Sequence, residues 1–374
     1  MLKTALKFIL YDKAKSLGAL FGVIMSVFLV GQQTGIFIFL TNAMSVLVRN
    51  NTQYIWVVDN KTTNANALST LDMRLGREIE SIPGIEKVYP FVFVSGSAKF
   101  ENGKSTGIAI IGTQAPDFAG GPWNIHEGSA DLLIQEGAVF TEFFDKNTLG
   151  GADMGDYFEI NSKKVFIAGQ TKGIRGFGSP AYGFTTVERA RSLAKLSPNK
   201  ASAFLIKWKA DADPKQVIAL INQEIKGVRA WDSQEFANQT IITVLSSSGI
   251  AISFGTLIVF ALIVGFVIIG LTLYSAAIDR IKDYGTLKAI GATNSYVRRL
   301  ILTQAMIFAV VGFTIAYFLI EGFRNGIANT GTIFVHPLWL KITFFLVTLL
   351  IAFLGSLFAI RRITSLEPAQ VFRG

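Results

Sequence analysis

The chain has 374 residues, a formal net charge of +9, 51% hydrophobic residues and only 16% charged ones. An ordinary soluble domain carries about 25% charged residues, so this chain lacks the side chains that would cover a fully wetted surface. The deficit is local: residues 52–239 read as ordinary globular sequence, while four other stretches are nearly free of charge. Cysteine is absent, which excludes disulfides, thiolate metal sites and cysteine nucleophiles, and two histidines, His126 and His336, are too few for a multi-histidine metal site.

Residues 1–16 open with Leu2, Leu6, Ile9 and Leu10 at helical spacing, with Lys3 and Lys7 between them. This pattern predicts an amphipathic helix lying among lipid head groups. The run Leu17 to Leu40 has no charge, and its 24 residues meet the roughly 20 needed to cross a hydrocarbon core. It exceeds the about 7–15 residues of a signal-peptide core, so a first span over 17–43 is expected. Gly18 and Gly22, then Gly31 and Gly35, stand four apart. Small residues at that spacing let helix backbones approach closely in lipid, either within one chain or at a seam with a second copy.

Residues 44–240 read as a mixed α+β domain outside the membrane. Tyr54–Asp59, Val88–Val94, Thr106–Ile111, Phe158–Ile160, Lys164–Ala168 and Ala203–Trp208 are short β-rich runs. Leu71–Ser81, Thr186–Leu196 and Pro214–Ile225 have helical periodicity. The segment 173–184 is rich in glycine. Gly173, Arg175, Phe177, Tyr182 and Phe184 mark it as a mobile loop with apolar contacts, read as a plain connection or as a lip for a partner or substrate.

The second apolar stretch, Ile241 to Ile278, would measure about 57 Å as one helix at 1.5 Å per residue. Its Ser- and Thr-rich beginning, 241–255, is therefore expected to project outward as a stalk. A third span is expected over 300–320, a short outer loop over 321–337 with His336-Pro337 at its end, and a fourth span over 338–360, broken only by Lys341 near its start. Between spans two and three, residues 279–299 are too short for a domain, and a short helix, a Gly291-Ala292-Thr293 breaker and a second helix are expected there. Gly285 and Ala289 would leave one face open to another protein.

The segments before span one, between spans two and three, and in the tail 361–374 hold twelve basic residues against four acidic ones, whereas segment 44–247 is balanced. Positive charge marks the cytoplasmic side, so both termini are expected on the cytoplasmic side of a bacterial inner membrane. The same distribution assigns the basic pI to lipid head groups rather than nucleic acid. No phosphate-binding loop occurs: Gly103-Lys104-Ser105 has Ala98 where the first glycine must stand. His126 beside Glu127 reads as a solvated loop histidine. The spans carry no ionisable group in mid-bilayer, which disfavours a proton-coupled transporter.

The run Asp279 to Thr293 resembles the signature of the MacB/FtsX-like permeases, with Asp283 where glutamate is usual. Arg361-Arg362 through Glu367-Pro368-Ala369 to Arg373, and Ser81-Ile82-Pro83-Gly84-Ile85, are similar to further stretches of that family. The resemblance implies a four-span ABC-transporter permease of the type VII form, with DevC-like, HrtB-like, lipoprotein-releasing and cell-division members among its relatives. It implies a separate ABC ATPase subunit that binds ATP and magnesium, no cofactor in this chain, a second permease copy in a homodimer, and in some members a periplasmic adaptor. Asp279, Ile281, Asp283, Tyr284, Gly285, Leu287, Lys288, Ala289 and Gly291 would form the ATPase-coupling segment. Movement of the external domain, or mechanotransmission, would then drive export or efflux. The alternative is a signalling platform that regulates a periplasmic partner, and a receptor without an ATPase would leave the cytoplasmic motif unused.

Overall fold

The computed structural model describes every residue except Asp12, Ser179, Pro180, 332–336 and 366–374. His336 and the Glu367–Arg373 motif therefore lie outside the described residues. The chain divides into a helical unit (Met1–Ile38, Ile250–Ile327, Phe334–Gly374) and a mixed unit (Phe39–Gly249, Ala328–Ile333).

The chain begins with α1 (Leu2–Tyr11) and α2 (Lys13–Met44), followed by the single turn α3 (Val46–Arg49). It then enters the mixed unit through β1 (Ile55–Asp59), β2 (Leu71–Asp72), α4 (Met73–Glu80), β3 (Ile85–Lys99), β4 (Ser105–Thr113), β5 (Ile125–Glu127) and β6 (Ala138–Glu142). The unit continues with β7 (Tyr157–Ile160), β8 (Lys163–Thr171), β9 (Tyr182–Thr186), α5 (Val187–Ala194), β10 (Lys200–Ala201), β11 (Ala203–Trp208), α6 (Pro214–Glu224), β12 (Val228–Trp231) and α7 (Ser233–Ser248). The remainder is helical: α8 (Ile250–Asp279), α9 (Ile281–Ala289), α10 (Asn294–Ala328) and α11 (Leu338–Thr364).

The main sheet runs β12-β1-β11-β3-β4-β9-β6-β8-β5, with β7 paired to β3 and β8. The pairs β4–β9 and β6–β8 are parallel, and the others are antiparallel. β3 is shared: Ile85–Phe91 pair with β11, and Val92–Lys99 pair with β4. Alternation along the strands builds the cores. Trp56, Phe91, Phe140, Tyr182, Phe184 and Phe236 meet in one cluster. Ile79 of α4 and Val217 and Ile221 of α6 cover Ile55, Phe204 and Ile206 in another.

Helix starts follow side-chain caps. Asp72 accepts from the Arg74 N–H, Asp213 from Lys215 with Pro214 in the first turn, and Asp232 from Gln234 and Glu235. The Asp232 cap starts α7 at Ser233, eight residues before the expected stalk. α7 is fastened to the mixed unit by its hydroxyls: Ser233 donates to the carbonyls of Thr52 and Tyr54, Thr240 accepts from Ala65 N–H at 3.0 Å, and Thr243 donates to Thr63. The expected continuous helix over 241–278 does not exist. Gly249 takes φ +67 and ends α7, because a left-handed residue stops the helical ladder.

In the helical unit, α2, α8, α10 and α11 are each long and apolar enough to cross a membrane. They touch through small residues: Ser26 Oγ donates to the Ala261 carbonyl at 2.8 Å beside Gly265, and Gly270 of α8 lies against Gly355 of α11. A Cβ on Gly22 would strike Ile268, and one on Gly31 would strike Ile320. Both glycines are thus used in packing within the chain. Gly35 is buried, and Gly18 faces open space.

Candidate coupling surface

The turn between α8 and α10 is built by breakers. Asp279 closes α8, Arg280 leaves the helical conformation, and α9 runs for nine residues before Gly291 takes φ +103. The Ala292 N–H then bonds back to the Leu287 carbonyl at 2.9 Å and the Gly291 N–H to Lys288 at 3.1 Å, a glycine C-cap. Thr293 opens α10 by accepting the Tyr296 N–H at 3.3 Å.

One face of α9 is fixed to the bundle. Tyr284 is 2% exposed, and its ring lies 5.4 Å from that of Phe8 on α1. Burial pushes its hydroxyl up to about 12, so it is neutral at every physiological pH. The Arg280 guanidinium stacks between Phe8 (4.6 Å) and Tyr11 (4.4 Å), a contact typically worth about 0.5–2 kcal/mol. Asp279 is ion-paired with Lys15 of α2. Ile281 and Leu287 are half-buried against the same core.

Two expectations are corrected here. Gly285 is buried beside Tyr284 rather than open to a partner. Lys288 also turns inward: its ammonium donates to the carbonyls of Ile363 and Thr364 at 3.1 Å each. Those carbonyls lie in the last turn of α11, where a cation complements the helix dipole. Desolvation there lowers the Lys288 pKa. What remains exposed is Lys282, Asp283, Thr286, Ala289, Ile290 and Gly291, with Ile290 77% exposed. Lys282, Asp283, Thr286 and Ile290 follow helical spacing and share one face. Ile290 is the residue that sequence reading missed; an aliphatic side chain just before a glycine C-cap is its only signal.

The glycine-rich segment of the mixed unit is also reassigned. Tyr182 and Phe184 belong to β9 and are 2% and 0% exposed, so they are core residues and not loop contacts. A Cβ at Gly176 would overlap the Tyr182 ring, which keeps that position glycine. Phe177 is half-buried. Gly173, at φ +87, and Ile174 donate their N–H groups to the buried Glu142 carboxylate at 2.6 and 3.0 Å, and Thr171 Oγ1 adds a third bond at 2.9 Å. Burial raises the Glu142 pKa against those bonds.

Arg175 pairs with the buried Asp145 at 3.3 Å and donates to the Thr330 carbonyl at 2.6 Å. Burial pushes the Asp145 carboxyl up to about 7, with Arg175 opposing the shift and Glu142 adding to it. His126 sits on the edge strand β5 with its ring 4.9 Å from Phe143, not in a loop. Among the described residues no group of acidic or histidine side chains is arranged to hold a metal.

The profile of the MacB-like periplasmic core domain matches residues 16–224, and that of the FtsX-like permease C-terminal region matches residues 239–368. Two relatives in Mycobacterium tuberculosis, strains H37Rv and CDC 1551, are uncharacterized ABC transporter permeases. Each is 23% identical over 313 residues, covering 81% of this chain and 79% of the relative. The periplasmic region of MacB from Actinobacillus actinomycetemcomitans is similar over 53% of this chain and 94% of its own, at 14% identity and a TM-score of 0.38. The extracellular domain of the ABC-type transporter YknZ from Gram-positive bacteria is similar over 48% and 98%, at 13% identity and a TM-score of 0.35.

Proposed function

This chain belongs to the MacB/FtsX-like ABC-transporter permeases, and on that premise we propose that it transmits the motion of an ABC ATPase to its external domain in an ATP-driven exporter. The observation that carries the proposal is the two-sided character of α9. One side is held by Tyr284, Arg280 and Lys288, and the other presents Asp283, Thr286 and Ile290 bare. A nine-residue helix exposed along its outer face is a stable lever only when its inner face is bound to the bundle.

In this reading the ATPase receives the Asp283–Ile290 face on the cytoplasmic side of a bacterial inner membrane, where both termini also lie. Two permease copies pair with two ATPases. Closure of the ATPases pushes α9, and the Lys288 contact passes that push to α11. ATP and magnesium are bound by the ATPase. The spans place no ionisable group in mid-bilayer, which fits a machine driven from the cytoplasm rather than by an ion gradient. The external domain then moves an exported substrate, with or without a periplasmic adaptor.

Co-expression with the candidate ATPase tests this. Co-purification, and hydrolysis stimulated by the wild-type chain but not by Ile290→Asp, is the expected result. Equal stimulation by both removes the α9 docking surface. A regulatory platform uses the same coupling, and ATP-dependent substrate accumulation in inside-out vesicles separates export from it.

A further inference from the structure

Two neighbouring features of the helical unit are not used by the coupling proposal: a cleft beside α1 and the lysine at its rim. Ser16 Oγ donates to the Ile9 carbonyl at 2.6 Å, closing α1 onto the start of α2 as an elbow. Between this elbow and α10 lies a cleft of about 370 Å³ whose walls include Leu6, Leu10, Leu17, Leu20, Phe308 and Val311. That volume lies within the roughly 300–1,000 Å³ of small-molecule sites. Among the described residues Lys13 is the one charged residue on its lining.

The chemistry of the walls selects the occupant. An ordered water needs about two to four polar partners, and these side chains supply almost none, so hydrocarbon fills the space. α2 and α10 are both apolar enough to span a membrane, so the cleft opens where acyl chains are. Leu10 and Leu17 on its rim are each 64% exposed, too apolar for a wet surface. At the polar end stands Lys13, which pairs with no carboxylate among the described residues. Lys3 and Lys7 add exposed positive charge along α1. A cation at the mouth of an apolar cleft in a membrane-spanning unit is complementary to a phosphate group carrying a hydrocarbon tail.

We propose that the α1–α2 elbow and α10 form a binding site for one anionic phospholipid, with an acyl chain in the cleft and the head group on Lys13. The site rests on the membrane-spanning character of α2 and α10 and is independent of which compartment α9 faces. The other side of α1 carries Phe8 onto Tyr284 and Arg280, so lipid and coupling helix share one small helix as their wall.

The full chain is reconstituted into nanodiscs of equal phosphatidylglycerol and phosphatidylcholine and re-extracted in mild detergent. The lipid that remains is counted by native mass spectrometry. The expected result is one retained phospholipid per chain, with phosphatidylglycerol favoured by about fivefold, the effect of roughly one lysine at a membrane surface. Lys13→Gln brings that ratio toward one while lipid is still retained. Leu20→Trp fills the cleft and removes lipid of both classes. Val311→Phe, at a position 42% exposed, gives the same loss should Leu20→Trp not fold. An unchanged head-group ratio in Lys13→Gln overturns the anionic assignment, and undiminished retention in the cleft-filling variants overturns the site itself.

Discussion

The ammonium of Lys288 on α9 donates to the carbonyl of Ile363 at the end of α11, 3.1 Å away. This bond links the short helix between two spans to the last turn of another span. Replacing Lys288 with Met keeps the stem and removes the donor. The expected loss is about 0.5–2 kcal/mol of stability, read as a lower unfolding temperature. The ATPase should still co-purify, while its stimulation falls. Full stimulation would show that α11 is not in the line of transmission.

The bare face of α9 gives a contrasting pair. Ile290→Asp places a charge at the most exposed apolar position of the turn and should weaken ATPase binding at least about tenfold, the scale of one interface hot spot, with no change in unfolding temperature. Gly285→Trp acts on the buried side and should destabilise the bundle itself. Titration of the ATPase onto both variants, beside their melting curves, separates the two effects.

Asp145 makes stability depend on pH in an unusual direction. Its carboxyl stands at about 7 in the fold against 3.8 as a free group, so the folded state holds a proton that the unfolded chain has released. Stability therefore falls as pH rises from about 4 to about 7 and levels off above that. The raised pKa of Glu142 acts in the same sense. Asp145→Asn should flatten most of this slope in melting curves taken between pH 4.5 and 7.5. A variant slope equal to that of the wild type would place the dependence elsewhere.

Glycines of the first span should divide by location. Gly22→Leu must displace Ile268, and overpacking of this kind typically costs about 1–3 kcal/mol. At Gly18 an added Cβ meets nothing within 4 Å among the described residues, so Gly18→Leu should leave the unfolding temperature unchanged. If two copies pair across Gly18, cross-linking between copies will fall in that variant alone.

The four spans were legible because charge-free runs of this length have no other stable home, and the breaker at Gly291 was legible because it has a local chemical cause. Facing was harder to read. In a nine-residue helix with apolar and polar residues on every side, nothing in the sequence tells which face Phe8 will cover, and Gly285 was placed outside when it lies inside. Tyr182-Gly183-Phe184 alternates as a strand does, but the glycines before it hid the period. The break at Gly249 follows three consecutive serines, and its left-handed conformation, not the hydrophobic run, sets where α8 begins. β6 escaped because all five of its residues are buried, which leaves no alternation of polar and apolar positions to read.

The position of β1 carries a consequence for how the protein is made. Ile55 pairs with Ile206, and Trp56 pairs with Trp231, so the first strand to leave the ribosome waits for the last two of its sheet. Until they arrive, both of its edges offer unpaired amides beside an apolar face, the condition in which strands aggregate. Biogenesis must therefore shelter residues 55–59 throughout synthesis of the mixed unit, and chains cut short before Ala203 should be recovered as protease substrates or inclusions rather than as a smaller folded domain.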